Sequence, residues 1–102
     1  MNSNDYTSGV MTQKLVNALP KLFRELDENW AISEDGFFLV GTLIALMPDG
    51  LLIEKRAEPE VFYKVRYPKL GCGMMIRQDN LPQALGEMIL LLARNGYMKR
   101  FR

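Results

Sequence analysis

The chain contains no histidine and a single cysteine, Cys72, and these two counts remove more chemistry than any motif supplies. Without histidine there is no Ser-His-Asp or Cys-His pair, no HExxH zinc site, and no side chain that ordinarily titrates near neutrality. One cysteine cannot build a structural zinc site or an intrachain disulfide. No catalytic residue, cofactor or metal is therefore expected, and the lone thiol points to a reducing compartment, the cytoplasm. Carboxylate chemistry stays formally open through Glu25, Asp27, Glu28, Glu34 and Asp35. Glu25 and Glu28 fall three apart on the polar side of a predicted helix, where solvated carboxylates are the ordinary outcome.

Three further clusters invite sharper interpretation. Gly71-Cys72-Gly73 is too short for a dinucleotide loop, since GxGxxG would need glycine where Ile76 stands, and no GKS or GKT follows for a phosphate loop. Lys69 and Arg77 would favour a Cys72 thiolate, but nothing can activate it further, so a small residue leading into a strand is the plainer expectation. Tyr63-Lys64-Val65-Arg66-Tyr67 interleaves aromatics with cations in the manner of a single-stranded nucleic-acid platform. Period-two geometry weakens this, because both tyrosines point away from Lys64 and Arg66, and only Phe62 shares the basic face. The C-terminal run is the strongest binding candidate. Arg94, Lys99, Arg100 and Arg102 follow the last acidic residue, Glu87, and Tyr97, Met98 and Phe101 supply anchoring surface. Such a segment suits phosphates, an acidic protein groove or an anionic lipid surface, while the helix dipole and plain solubility also favour cations there.

A chain of 102 residues, 48% hydrophobic, 25% charged and 10% aromatic, is in the globular range and allows one compact domain. The longest apolar run, Met88–Ala93, is far too short to span a bilayer, so no membrane span is expected. The net charge of +1 conceals an asymmetry. Residues 1–60 hold five Lys/Arg against ten Asp/Glu, and residues 61–102 hold eight against two. Charge segregated in this way steers electrostatic encounters without naming the partner.

These residues must be positioned by a small set of elements. Residues 1–10 read as a flexible tail, leaving 11–102 as a single α+β domain. Leu15, Leu19, Leu22, Phe23 and Leu26 fall on one helical stripe over 12–28, interrupted by Pro20, which predicts a kink near Leu19 or a new helix opening at the proline. Trp30 and Ile32 begin an extended segment ending in the turn Glu34-Asp35-Gly36. Phe37–Met47 is apolar on both alternating faces, which predicts a doubly covered strand with Gly41 at a bend. Pro48-Asp49-Gly50 then predicts a hairpin into a return strand, Leu51–Arg56. Residues 60–67 alternate as a half-buried strand, and Cys72–Ile76 is a short last strand. Asn80 caps a final helix over 81–95 through the amide of Gln83, with Gly96 as its left-handed C-cap and Leu90 and Leu91 broadening its apolar stripe.

The expected fold is therefore a two-layer α+β sandwich. A four- or five-stranded antiparallel meander over 30–76 carries the N-terminal and C-terminal helices on one face. Its core is expected to hold Leu22, Phe23, Leu26, Val40, Ile44, Leu46, Val65, Leu85, Ile89 and Leu92. Missing chemistry, surplus apolar surface and segregated charge suit recognition better than turnover. The expected function is a non-enzymatic protein-binding module, an adaptor or inhibitor of a larger protein, of the size typical of phage, mobile-element and accessory proteins. The apolar surplus of 37–47 and the last helix favours a homodimer or a protein partner. Partner contacts are assigned to Lys64, Arg66, Arg77, Arg94, Lys99, Arg100, Phe101 and Arg102. The alternative is a nucleic-acid-binding accessory protein using the same basic C-terminal half.

Overall fold

The computed structural model describes residues 6–21, 38–57 and 59–98, and the account that follows is of these. The fold is α+β, with three helices and a three-stranded antiparallel sheet. Helix α1 spans Gly9–Ala18 and α2 spans Val40–Leu46. Strands β1 (Leu52–Arg56), β2 (Phe62–Arg66) and β3 (Met75–Gln78) follow, and helix α3 (Leu81–Arg94) closes the order. The strands lie in meander order β1-β2-β3. Helix α3 packs on β2 and β3, and both α1 and α2 pack on α3.

Within the stretch 1–10, residues 6–10 are described and take part in the fold. Tyr6 bridges Leu39, and Thr7 is fully buried. The Thr7 amide donates to the Phe38 carbonyl at 2.9 Å, while its hydroxyl accepts the Phe38 amide at 3.1 Å. Ser8 caps α1 by accepting the Met11 amide, the ordinary device for an orphan amide at a helix start. The helix stops at Ala18 with Leu19 as its C-cap, and Pro20 and Lys21 are helical again. A proline at the opening of a new helix loses no hydrogen bond, which is why the break falls there.

The largest departure concerns Phe37–Met47. Residues 40–46 form a helix, and 37 lies outside the described residues. A run apolar on both alternating faces reads equally as a covered strand or a buried helix. Packing on α3 decides for the helix, seating Leu43 with Phe38 and Met47 in the core. Consequently Pro48-Asp49-Gly50 joins a helix to β1 instead of closing a hairpin, Gly50 taking a φ of 98° in the turn. Only three strands occur among the described residues, and the segment 30–36 lies outside them, as do Leu22, Phe23 and Leu26.

The observed core holds Val65, Leu85, Ile89 and Leu92, as the periodicity of β2 and α3 predicts. Val40 and Leu46 pack against its margin, and Ile44 is 39% exposed because the turn of α2 carries it away from α3. Asn80 accepts the Gln83 amide at 2.9 Å, as its position before the helix predicts. Gly96, at φ 84°, reverses the chain so that the Tyr97 amide donates to Leu92 at 2.9 Å. Met98, read from sequence as anchoring surface, is buried at 3% exposure.

Tyr67 links the sheet to the α2–β1 turn. The ring is fully buried and its hydroxyl donates to the Pro48 carbonyl at 2.8 Å. Burial, with a smaller contribution from the Asp49 carboxylate, pushes its pKa from 10.0 up to about 12. The folded state thus holds the proton more tightly than the unfolded chain. Its contribution is complete below about pH 10 and is lost as the pH rises towards 12. Tyr67→Phe is expected to cost about 1 kcal/mol at neutral pH by orphaning the Pro48 carbonyl, and to flatten this alkaline loss. Urea midpoints of both proteins at pH 8 and pH 11 check it. A wild-type midpoint that falls no further than the variant's refutes the assignment.

Candidate functional site

Alternation along each strand sends successive side chains to opposite faces, so the register of the sheet decides which residues meet. On β2, Val65 faces α3 and is fully buried, followed in the same sense by Tyr67 just beyond the strand. Lys64 and Arg66 therefore point the other way. Cross-strand pairing places Leu52 opposite Arg66, Glu54 opposite Lys64 and Arg56 opposite Phe62. On the other side, Arg77 pairs with Lys64, and Met75 with Arg66. Among the described residues, α3 packs on the Val65 side of β2 and β3, α1 and α2 pack on α3, and the opposite face, where Leu52, Arg66, Met75 and Arg77 are exposed, is open.

The open face thus carries four cations, Arg56, Lys64, Arg66 and Arg77, against one carboxylate, Glu54. The single ion pair among the described residues joins Arg56 to Glu54 along β1. Lys64, Arg66 and Arg77 have no carboxylate partner within the described residues. Arg77 reaches diagonally from β3 across β2, its guanidinium carbon 3.8 Å above the centre of the Phe62 ring. That distance is a close cation–π stack. Arg56, Phe62, Lys64, Met75 and Arg77 together line a shallow depression of about 290 Å³.

Chemically, the face offers hydrogen-bond donors almost exclusively. Guanidinium and ammonium groups supply donors and no acceptor, which is the chemistry that suits an anion. Among the described residues no cluster of His, Cys, Asp or Glu is arranged to hold a metal ion, and no helix is long and apolar enough to cross a membrane.

Lys64, Arg66 and Arg77, chosen from sequence as partner-binding residues, are thus brought together. Arg94 is not with them. It stands in the last turn of α3, behind the sheet, where it lines a groove with Lys14, Asn17, Ala18 and Leu90. Lys99, Arg100, Phe101 and Arg102 lie outside the described residues, as do Glu25, Asp27, Glu28, Glu34 and Asp35. Cys72 sits exposed in the Gly71–Gly73 turn between β2 and β3. Sequence reasoning missed Arg56. Both strands were expected from sequence, but that Arg56 stands opposite Phe62 follows only from the cross-strand register.

Comparison of the chain with protein-family models, with curated proteins and with solved structures finds no match.

Proposed function

We propose that this chain is a non-enzymatic nucleic-acid-binding accessory protein that docks through the open face of its sheet. The observation that carries the proposal is the register, which gathers four cations from all three strands around one carboxylate that Arg56 already neutralises. A polyanion is the chemistry complementary to such a face: regularly spaced phosphates can meet cations that stand at successive same-face positions of the strands, with guanidinium groups holding them by paired donors. The molecule then works as two layers, with helices behind and the binding sheet in front, in the cytoplasm, where an exposed Cys72 stays a thiol.

Salt dependence tests this. Each phosphate neutralised on a single strand contributes roughly 0.7 to the slope of log affinity against log salt. Titration of a labelled mixed-sequence oligonucleotide, followed by anisotropy between 50 and 300 mM salt, is expected to give a slope of about −2 to −3. Absence of binding at low salt, or an affinity indifferent to salt, overturns the proposal.

The reading as a protein-binding adaptor or inhibitor keeps one observation of its own. Leu52, Ile53, Val61 and Met75 are all exposed at 40% or more, and three of them lie on β1 or the loop beside it, at the edge of the sheet. An apolar edge of this kind favours a protein partner or a second copy of the chain. Lys55 moderates it, since a charge on an edge strand resists pairing.

A further inference from the structure

Electrostatics alone draws such a face to single and double strands alike, and more strongly to the duplex with its higher charge density, but the Arg77–Phe62 stack is not indifferent to strandedness. Arg77 is exposed and Phe62 half-buried, and the ring lies beneath the guanidinium at 3.8 Å. This contact restrains a long, rotamer-rich side chain over the ring before any ligand arrives, which lowers the entropy lost on binding. A guanidinium plane with its inner side on an aromatic ring has its outer side available, and nucleobases stack on such planes. In a duplex the bases are already stacked and paired, so only an unpaired base can use it. Lys64 and Arg66 follow Phe62 along β2 at intervals of two residues, about 6.8 Å each, on the same face. Phe62 and Arg77 themselves line the shallow depression of about 290 Å³, together with Arg56, Lys64 and Met75.

We infer that the open face selects single-stranded nucleic acid. An unpaired base stacks on the outer side of the Arg77 guanidinium, which Phe62 restrains, while Lys64 and Arg66 take the adjacent phosphates. The inference rests on the nucleic-acid reading above and deepens it. It also separates the two roles of Arg77, because lysine retains the charge and loses the plane.

The test uses the full chain and three probes of equal length: a mixed-sequence single strand, the same strand with abasic sites at every position, and the corresponding duplex. The abasic strand keeps the phosphates and removes the bases. The wild-type protein is expected to bind the base-bearing strand roughly tenfold or more tightly than the abasic one. Phe62→Ala and Arg77→Lys are each expected to lower binding of the base-bearing strand to near the abasic level. Neither should change abasic binding much. The wild-type comparison needs no variant to fold, and circular dichroism melts check both variants. Equal affinity for base-bearing and abasic strands, or duplex binding as tight as single-strand binding, overturns the inference while the nucleic-acid reading stands. Failure of all three probes to bind at low salt overturns both.

Discussion

Removing the three cations of the open face that have no carboxylate partner among the described residues, in the variant Lys64→Gln/Arg66→Gln/Arg77→Gln, is expected to weaken oligonucleotide binding by about a thousandfold. A hydrogen bond to a charged group contributes about 1.5 kcal/mol at the low end of its range, and removing three such bonds together corresponds to that factor. The salt slope should also flatten, by about 2 for a single strand, because three fewer counterions are displaced. Stability should barely change. Arg66 and Arg77 are exposed, and none of the three makes an ion pair among the described residues. Surface substitutions of this kind usually shift stability by about 0.5 kcal/mol or less apiece. Glutamine is preferable to glutamate, since Lys64 lies opposite Glu54 and a second carboxylate there would repel it. The same triple substitution distinguishes the face from the back of α3. Arg94→Gln lies on the groove side and should leave oligonucleotide affinity within about twofold, a change near the 0.5 kcal/mol ordinary for a surface residue. If the triple variant binds like wild type while Arg94→Gln does not, the open face is not the site.

The largest expected effect on stability comes from Gly86. It lies inside α3, where glycine costs about 1 kcal/mol relative to alanine, so its presence needs a packing reason. The reason is Met11 of α1. A Cβ added at Gly86 would stand 2.6 Å from both Cγ and Sδ of Met11, closer than real atoms approach. Met11 is itself fully buried, and Cγ is near the root of its side chain, so it cannot swing aside without disturbing the α1–α3 packing. Gly86→Val is expected to destabilise by about 3 kcal/mol, the upper part of the range for overpacking, against a total of about 5–15 kcal/mol for a domain of this size. Gly86→Ala should cost about 1 kcal/mol, the clash being partly offset by better helix propensity. Met11→Ala should cost less in the Gly86→Ala background than alone, a coupling of about 1 kcal/mol measured by a urea-unfolding cycle. Stabilisation by Gly86→Ala would mean that the two helices do not approach so closely.

Much of the C-terminal half was legible because its signals are local. The Asn80 cap, the stripe of Leu85, Ile89 and Leu92, and the Gly96 terminus depend on residues within one or two turns. The alternation of 60–67 likewise assigns Val65 and Tyr67 to one face and Lys64 and Arg66 to the other, without reference to any other strand. Neither the composition of α2 nor its turn had that property. Val40, Thr42 and Ile44 are β-branched and Gly41 is a poor helix former, so intrinsic preference opposed the helix that packing on α3 imposed.

What the sequence determined by itself is therefore the identity of the local elements in β2 and α3, the absence of histidine chemistry and the segregation of charge. Tertiary structure decided the rest. It turned an apolar run into a helix because burial on α3 outweighs a propensity difference of a few tenths of a kcal/mol per residue. It also separated cations that adjoin only in the count: Arg77 stands with Lys64, Arg66 and Arg56 on the front of the sheet, and Arg94 stands behind it. Charge along a chain is one-dimensional, whereas a binding face is set by cross-strand register, and register follows from which alternating set the core buries.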